Sequence, residues 1–363
     1  MIKPHRSTSP WWQVFIDAID KLPFSQQAHR LANLAVMMAG RGERRAAGMI
    51  ALRAWRQARE FGEGNGDETI RHALSAVTPR YHTQISTDPE RIAAWEAALG
   101  DVLRPGMLAL EIGAGSGILA MLAARAGADV VSCEKDPVLA AIAEETIRLN
   151  GLSRRVRIIG KSSDVLRIPE DLPRAADVLL LDVFSDKLFN FNPFGIIRSA
   201  SRLLRPGAIA VPARVSLEGA LANFRRWSRI VPGRVSNFDL GILGDLSSMR
   251  INLDPGDPDL SLQSPAMPML SAALPDCLPE PRGELEQLLV SSGGPVNGVA
   301  LWLRLELAPG HVLEAKPGLA PRGFYAKPNF FAFPETLDTL PGQRCSIRLR
   351  WEGKSISIGP TDR

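Results

Sequence analysis

A short apolar run that ends in three closely spaced glycines constrains the fold of this chain more than any other feature. Residues 108–119 read Leu-Ala-Leu-Glu-Ile-Gly-Ala-Gly-Ser-Gly-Ile-Leu. The apolar start is typical of a buried parallel strand, and Gly113, Gly115 and Gly117 permit a tight turn after it. Residues 118–126 then show helical spacing. The segment therefore predicts a strand, a turn and a helix whose N-terminus faces a ligand.

A second predicted strand, residues 129–133, ends at an acid, Glu134. An acid at this distance from a glycine turn is placed to bind the hydroxyl groups of a ribose. A dinucleotide-binding turn would carry a glycine where this chain has Ile118, and here another acid, Glu111, lies at the end of the first strand. The pattern favours S-adenosylmethionine over NAD as the cofactor.

The composition is that of an ordinary globular protein of 363 residues, 45% hydrophobic and 23% charged, long enough for two or three domains. The 43 Lys and Arg residues face 39 Asp and Glu residues, and no basic run interleaved with aromatic residues indicates nucleic-acid binding. No stretch approaches the roughly 18 apolar residues of a membrane span, and no signal peptide is evident, so we expect a cytoplasmic protein. Three cysteines and five histidines are scattered, which predicts neither disulfides nor a metal site.

The hydrophobic pattern divides the chain into three parts. Residues 1–78 are predicted to form a small helical domain, with breaks at residues 40–42 and 62–67. Residues 79–212 alternate strands and helices, which predicts an α/β fold with a Rossmann-like seven-stranded methyltransferase sheet. Residues 213–363 show short β-prone stretches, which predict a β-barrel-like domain. At the start of the second part, Thr87 is expected to cap a helix with Pro89 in its first turn.

This order of parts resembles the protein arginine methyltransferase family, over roughly residues 80–351 and most strongly over 81–160. Residues 82–91, His-Thr-Gln-Ile-Ser-Thr-Asp-Pro-Glu-Arg, resemble the family segment that folds over the cofactor. The resemblance implies that Arg91 pairs with the methionine carboxylate and that His82 lies near the substrate pocket. Residues 160–165 resemble the stretch beside adenine, where Ser163 or Asp164 would accept from the adenine amino group. Two further cofactor-binding candidates are Lys135, which follows Glu134, and Ser162, which lies within residues 160–165.

The family uses two glutamates, at the end of the fourth strand and in the next loop, to orient a guanidinium group. Asp182 stands at the first of these positions and Phe191 at the second. Asp186 is a candidate for a second carboxylate, although a solvated loop residue is an equal reading. The barrel turn that brings a histidine to the family's active site has its counterpart at residues 323–327, where Phe324 and Tyr325 are candidates for the substrate pocket.

The leading hypothesis is a methyltransferase that acts on a side-chain nitrogen of a protein or peptide, with Asp182 keeping the acceptor nitrogen deprotonated. An arginine acceptor is the first expectation from the resemblance. Two alternatives remain: a cofactor-binding scaffold without catalysis, and a methyltransferase for another acceptor such as a ribosomal protein, a small molecule or a nucleic acid. The resemblance also implies a homodimer formed through a barrel arm, for which residues 224–230 are candidates.

Overall fold

The N-terminal segment is helical, as the spacing of its apolar residues predicts. A computed structural model describes residues 10–60, 68–78, 80–185, 188–227, 234–240, 242, 250–318 and 327–361. The helices pack through small residues such as Ala35 and Ala51, both fully buried. Gly42, with φ +86°, turns the chain at the first predicted break, and the second break lies outside the described residues. The helices are α1 (Gln13–Ile19), α2 (Phe24–Gly40), α3 (Arg44–Glu60) and α4 (Glu68–Val77).

Two further helices lead into the sheet, α5 (Arg80–Ser86) and α6 (Pro89–Val102). The N-cap of α6 is Asp88, and the prediction of Thr87 was wrong by one residue. Asp88 accepts a hydrogen bond from the backbone N–H of Arg91 at 3.0 Å, whereas the Thr87 hydroxyl donates to the carbonyl of Gln84 at 3.3 Å. Thr and Asp are both favourable N-cap residues, so the course of the backbone determines which of the two caps α6.

A parallel sheet with strand order β3-β2-β1-β4-β5 forms the centre of the molecule. The order reverses at β1, and this point of an open α/β sheet is where ligands bind, beyond the carboxyl ends of the strands. The strands are β1 (Leu108–Ile112), β2 (Asp129–Cys133), β3 (Val156–Ile159), β4 (Ala176–Leu181) and β5 (Leu204–Val211). The connecting helices are α7 (Ile118–Arg125), α8 (Pro137–Leu149) and α9 (Pro193–Ala200).

The described strands after β5 pair antiparallel, and the predicted α/β fold followed by β-structure is confirmed. The described part of the parallel sheet has five strands where seven were expected. The difference arises at β6 (Arg214–Phe224), which pairs antiparallel with later strands. The later strands are β7 (Arg234–Val235), β8 (Phe238–Asp239), β9 (Arg250–Asn252), β10 (Leu260–Leu262), β11 (Met267–Ala273), β12 (Arg282–Val290), β13 (Gly294–Ala308), β14 (His311–Glu314), β15 (Asn329–Thr339), β16 (Arg344–Glu352) and β17 (Ser355–Pro360).

The described residues form two hydrophobic cores. The parallel sheet and the antiparallel strands share one core, which includes Leu180 and Trp302. The N-terminal helices have a second core, to which α8 contributes Val138. The predicted domain boundaries at 78/79 and 212/213 stay predictions. In the described ranges, no helix is both long and apolar enough to cross a membrane.

Candidate functional site

The glycine turn after β1 has the backbone conformation that its sequence predicts. Gly113, Gly115 and Gly117 have φ values of +87°, +54° and +82°, in a region that L-residues with side chains rarely adopt. The turn is closed by a 2.7 Å hydrogen bond from the N–H of Gly117 to the carbonyl of Ala114. It leads directly into α7, so backbone N–H groups face the crevice beyond the strand ends.

Glu134 follows β2 directly and binds the glycine turn. Its Oε2 accepts from the N–H of Gly115 at 3.2 Å, and its Oε1 accepts from the N–H of Asp136 at 2.9 Å. The residue is 7% exposed. Hydrogen bonds from two N–H groups orient this carboxylate and leave further lone pairs available.

Glu111, at the end of β1, is a buried acid beside Glu134. It is 1% exposed, and the hydroxyl of Ser132 on β2 donates to its Oε2. Burial raises the pKa of Glu111 to about 8; the Ser132 hydrogen bond opposes this shift and the Glu134 charge adds to it. At neutral pH the carboxyl therefore holds its proton in most molecules. Sequence reasoning missed Ser132, although a serine in an otherwise apolar strand was a usable signal.

Arg91 and Asp182 form a buried ion pair across the crevice. Arg91 lies in the first turn of α6, and Asp182 comes directly after β4. Arg91 Nη2 pairs with Asp182 Oδ2, and the two side chains are 2% and 7% exposed. Arg91 Nη1 also donates to the carbonyl of Ile85 at 3.0 Å. The sequence placed both residues in one site without indicating that they contact each other.

The short helix α5 lies over the glycine turn. The Nδ1 atom of His82 is 3.5 Å from the point where a Cβ on Gly115 would lie. Burial lowers the pKa of His82, and the charge of Asp136 opposes this shift, so the imidazole is mainly neutral at pH 7. The Ser86 and Ser116 hydroxyl oxygens are 2.8 Å apart and link α5 to the turn.

Ser163 and Asp164, the two candidate acceptors for the adenine amino group, lie after β3 and differ in burial. Ser163 is 6% exposed, whereas Ser162, Asp164 and Lys135 are exposed. A hydrogen bond from the Ser162 hydroxyl lowers the pKa of Asp164. The backbone carbonyls of Ser163 and Asp164 accept from Arg202 at 3.3 and 2.7 Å, which fixes this turn.

Three candidates, Asp186, Phe324 and Tyr325, lie outside the described residues. Phe191 is 49% exposed. Within the same loop, Phe189 stacks on Trp351 of β16 with ring centroids 5.9 Å apart and an angle of 8°. This contact anchors the chain that follows Asp182 to the antiparallel strands.

Comparisons with known proteins find methyltransferases that are similar to this chain. The family model of ribosomal protein L11 methyltransferase (PrmA) matches residues 96–211. The chain is 29% identical over 286 residues to an arginine N(omega)-methyltransferase of Streptomyces achromogenes subsp. streptozoticus, covering 77% of this chain and 78% of that protein. It is 40% identical over 107 residues to protein arginine N-methyltransferase 7 of Drosophila ananassae, covering 29% of this chain and 16% of that protein.

Among solved structures, the Trypanosoma brucei PRMT1 enzyme-prozyme heterotetrameric complex with AdoHcy shares the fold. The TM-score is 0.68 at 18% identity, and the match covers 78% of this chain and 93% of that chain. The sequence relatives are methyltransferases, and the segment that the family model matches includes the glycine turn and Glu134. The chain is an S-adenosylmethionine-dependent methyltransferase that resembles the protein arginine methyltransferases.

The described residues fit the cofactor of such a methyltransferase. A Cβ on Gly115 would lie in the space between the turn and His82, and no side chain of the described residues fills that position. Arg91 supplies a buried guanidinium for a carboxylate, and Glu134 supplies an acceptor for hydroxyl groups. The structure brings together Arg91, His82, Glu111, Glu134 and Asp182 at the carboxyl end of the parallel sheet, in contact with or next to the turn.

Proposed function

We propose that the protein methylates a guanidinium nitrogen (Nω) of arginine, either free or within a protein or peptide. The observation that carries this proposal is the buried pair of Arg91 and Asp182. The carboxylate of Asp182, at the end of β4, pairs with the guanidinium group of Arg91 beside the glycine turn. The space around this carboxylate therefore accommodates a planar guanidinium cation. An acceptor arginine presents the same chemical group.

The cofactor roles follow from position and chemistry. Arg91 would bind the methionine carboxylate, Glu134 the ribose hydroxyl groups, and the buried Ser163 or the neighbouring Asp164 the adenine amino group. Gly113, Gly115 and Gly117 allow close approach of the backbone. The remaining candidates, Lys135, Ser162 and Glu111, lie at the same edge of the sheet. When bound, S-adenosylmethionine supplies a methyl group on a positively charged sulfur.

When Arg91 pairs with the methionine carboxylate in place of Asp182, the Asp182 carboxylate would be released to bind, orient and deprotonate the acceptor. Its carboxylate attracts the guanidinium and holds the reacting nitrogen in line for attack. The nitrogen loses one proton for each methyl group gained, and Asp182 is placed to accept it. His82, whose lowered pKa keeps it neutral, is a second group that can carry this proton. By the resemblance, Phe191 stands where the family has its second glutamate, so Asp186 is a candidate for the second carboxylate, with Phe324 and Tyr325 for the acceptor pocket.

The relatives support an arginine acceptor over the alternatives. One relative with 78% of its length aligned is named an arginine N(omega)-methyltransferase, and another is named a protein arginine N-methyltransferase. A scaffold without catalysis is not favoured, because these relatives are methyltransferases and the buried carboxylate is present. The homodimer and the cytoplasmic location stay predictions. The candidate arm at residues 224–230 is described only up to residue 227.

Transfer of an isotope-labelled methyl group tests the proposal. The protein would be incubated with methyl-labelled S-adenosylmethionine and one of three acceptors: free arginine, an arginine peptide, or the same peptide with lysine in that position. We expect labelled Nω-methylarginine with one or both arginine acceptors and no label in the lysine peptide. The proposal would be refuted if arginine stayed unlabelled while the protein bound S-adenosylhomocysteine. The two arginine acceptors distinguish an amino-acid substrate from a protein substrate.

A further inference from the structure

A pair of serine hydroxyl groups joins α5 to the glycine turn. Ser86 Oγ lies 2.8 Å from Ser116 Oγ and 2.7 Å from the carbonyl oxygen of His82. A hydroxyl carries one hydrogen and two acceptor lone pairs. Ser86 therefore donates its single hydrogen to Ser116 Oγ or to the His82 carbonyl at any one time, and both acceptors lie within its reach. The end of α5 is thereby bound to the residue between Gly115 and Gly117.

The same short helix carries two groups of the cofactor site. The His82 ring lies over Gly115, at 3.5 Å from its Cβ position. The carbonyl of Ile85 accepts from Arg91 Nη1 at 3.0 Å. Ser86 directly follows Ile85, so a movement of α5 away from the turn would displace the imidazole and remove an acceptor from Arg91. Both serines are partly exposed, which keeps the pair close to solvent.

We propose that Ser86 is a positioning residue for the cofactor, which holds α5 against the glycine turn through Ser116. This inference rests on the part of the proposed function that assigns S-adenosylmethionine as the cofactor, and it does not depend on which acceptor is methylated. Ser86 acts through His82 and Arg91 and touches no reacting atom. A single hydrogen bond contributes about 1 kcal/mol net, which corresponds to about a fivefold change in affinity.

A double-mutant cycle tests the pair. The dissociation constant of S-adenosylhomocysteine would be measured by calorimetry for the wild type, Ser86→Ala, Ser116→Ala and the double variant. We expect each single substitution to weaken binding about fivefold, and the double variant to bind no more weakly than Ser86→Ala, because all three variants lack the Ser86–Ser116 contact. Ser86→Thr keeps the hydroxyl and should bind like the wild type. Ser75→Ala is the matched control, because Ser75 makes a local 2.9 Å bond to the carbonyl of His72 in α4.

Two further readouts separate positioning from a general loss of structure. In Ser86→Ala, amide hydrogen exchange should accelerate in α5 and stay unchanged in α4. The KM for S-adenosylmethionine should rise by more than kcat falls. Effects that multiply in the double variant, to about 25-fold, or single variants that bind like the wild type, would overturn this inference alone. A wild type that does not bind S-adenosylhomocysteine would overturn the cofactor assignment and this inference with it.

Discussion

The ionisation of Glu111 depends strongly on its buried position. Its pKa rises from an ordinary 4.5 to about 8, mainly through burial. In this interval the folded protein keeps a proton that the unfolded chain has released, so folding becomes less favourable as pH rises. The stabilising contribution is complete below pH 4.5 and is lost as pH rises to about 8.

We therefore expect the wild type to lose stability relative to Glu111→Gln over this range, on the order of 1 kcal/mol per pH unit. Urea unfolding of both proteins between pH 5 and 9 measures the difference. The matched control is Glu96→Gln, because Glu96 lies on α6 with its side chain 54% exposed. Parallel stability curves for the wild type and Glu111→Gln would contradict the buried, protonated state.

Glu134 gives a second prediction at the scale of the residue. Its carboxylate accepts from two backbone N–H groups at 3.2 and 2.9 Å and would also bind ribose hydroxyl groups. Glu134→Gln keeps the shape, removes the charge and replaces one acceptor by a donor. We expect S-adenosylhomocysteine to bind about 10- to 100-fold more weakly, since bonds to a charged group contribute about 1.5–3 kcal/mol. Titration calorimetry checks this, and unchanged binding would remove Glu134 from the site.

The sequence revealed these residues because their signals are local. Three alternate glycines require a turn with positive φ, and an acid at the end of the next strand must lie at the same edge of a parallel sheet. By contrast, the pairing of Arg91 with Asp182 and of Ser86 with Ser116 joins segments 91 and 30 residues apart. No local pattern encodes such contacts, because they depend on how α5 and α6 pack on the sheet.

At the scale of the element, the start of α6 positions Arg91. Asp88 is 3% exposed and caps the helix through the N–H of Arg91. Asp88→Ala should lower the free energy of unfolding by about 0.5–2 kcal/mol, while Asp88→Asn should retain most of it, because Asn is an equally good cap. Affinity for S-adenosylhomocysteine should fall in the Ala variant as well. Equal stability of the Ala and Asn variants, measured by urea unfolding, would show that the cap contributes little.

The element boundaries show the same division between local and non-local information. The helix α6 was predicted correctly, but its N-cap is Asp88 and not the predicted Thr87. The strands of the α/β part were predicted from short apolar runs. The count of seven was wrong for the described part of the sheet, because β6 pairs with β13 and β11 in the antiparallel sheet. Partner choice between strands is a tertiary property that apolar runs do not specify.

At the scale of the whole molecule, the N-terminal helices are joined to the methyltransferase sheet through α8. Gly48 of α3 faces Val138, whose Cγ2 would lie 2.4 Å from a Cβ on that glycine. The salt bridge from Arg56 to Glu145 at 3.0 Å crosses the same interface. Gly48 thus allows a close approach of two helices that a larger residue would prevent.

We expect Gly48→Ala to destabilise the protein by about 1–3 kcal/mol, because the clash exceeds the gain in helix propensity. The double variant Gly48→Ala with Val138→Ala should recover part of this loss, since the smaller side chain makes room. Gly100→Ala in α6 is the matched control, where a Cβ meets nothing within 4 Å, and it should be neutral or stabilising. Thermal unfolding measures all four proteins, and a stabilised Gly48→Ala would contradict the close packing of α3 on α8.

The most direct test of the account is the rate of arginine methylation in Asp182→Asn. This variant preserves shape, but it removes the negative charge that holds a guanidinium and accepts its proton. The measurement is kcat/KM for the arginine acceptor in the wild type, in Asp182→Asn and in Asp101→Asn, a control at an exposed aspartate. We predict a loss of about 10²–10⁴-fold in Asp182→Asn while S-adenosylhomocysteine still binds, and no loss in the control. Methylation by Asp182→Asn at the wild-type rate would contradict the central claim that this carboxylate binds and activates the acceptor.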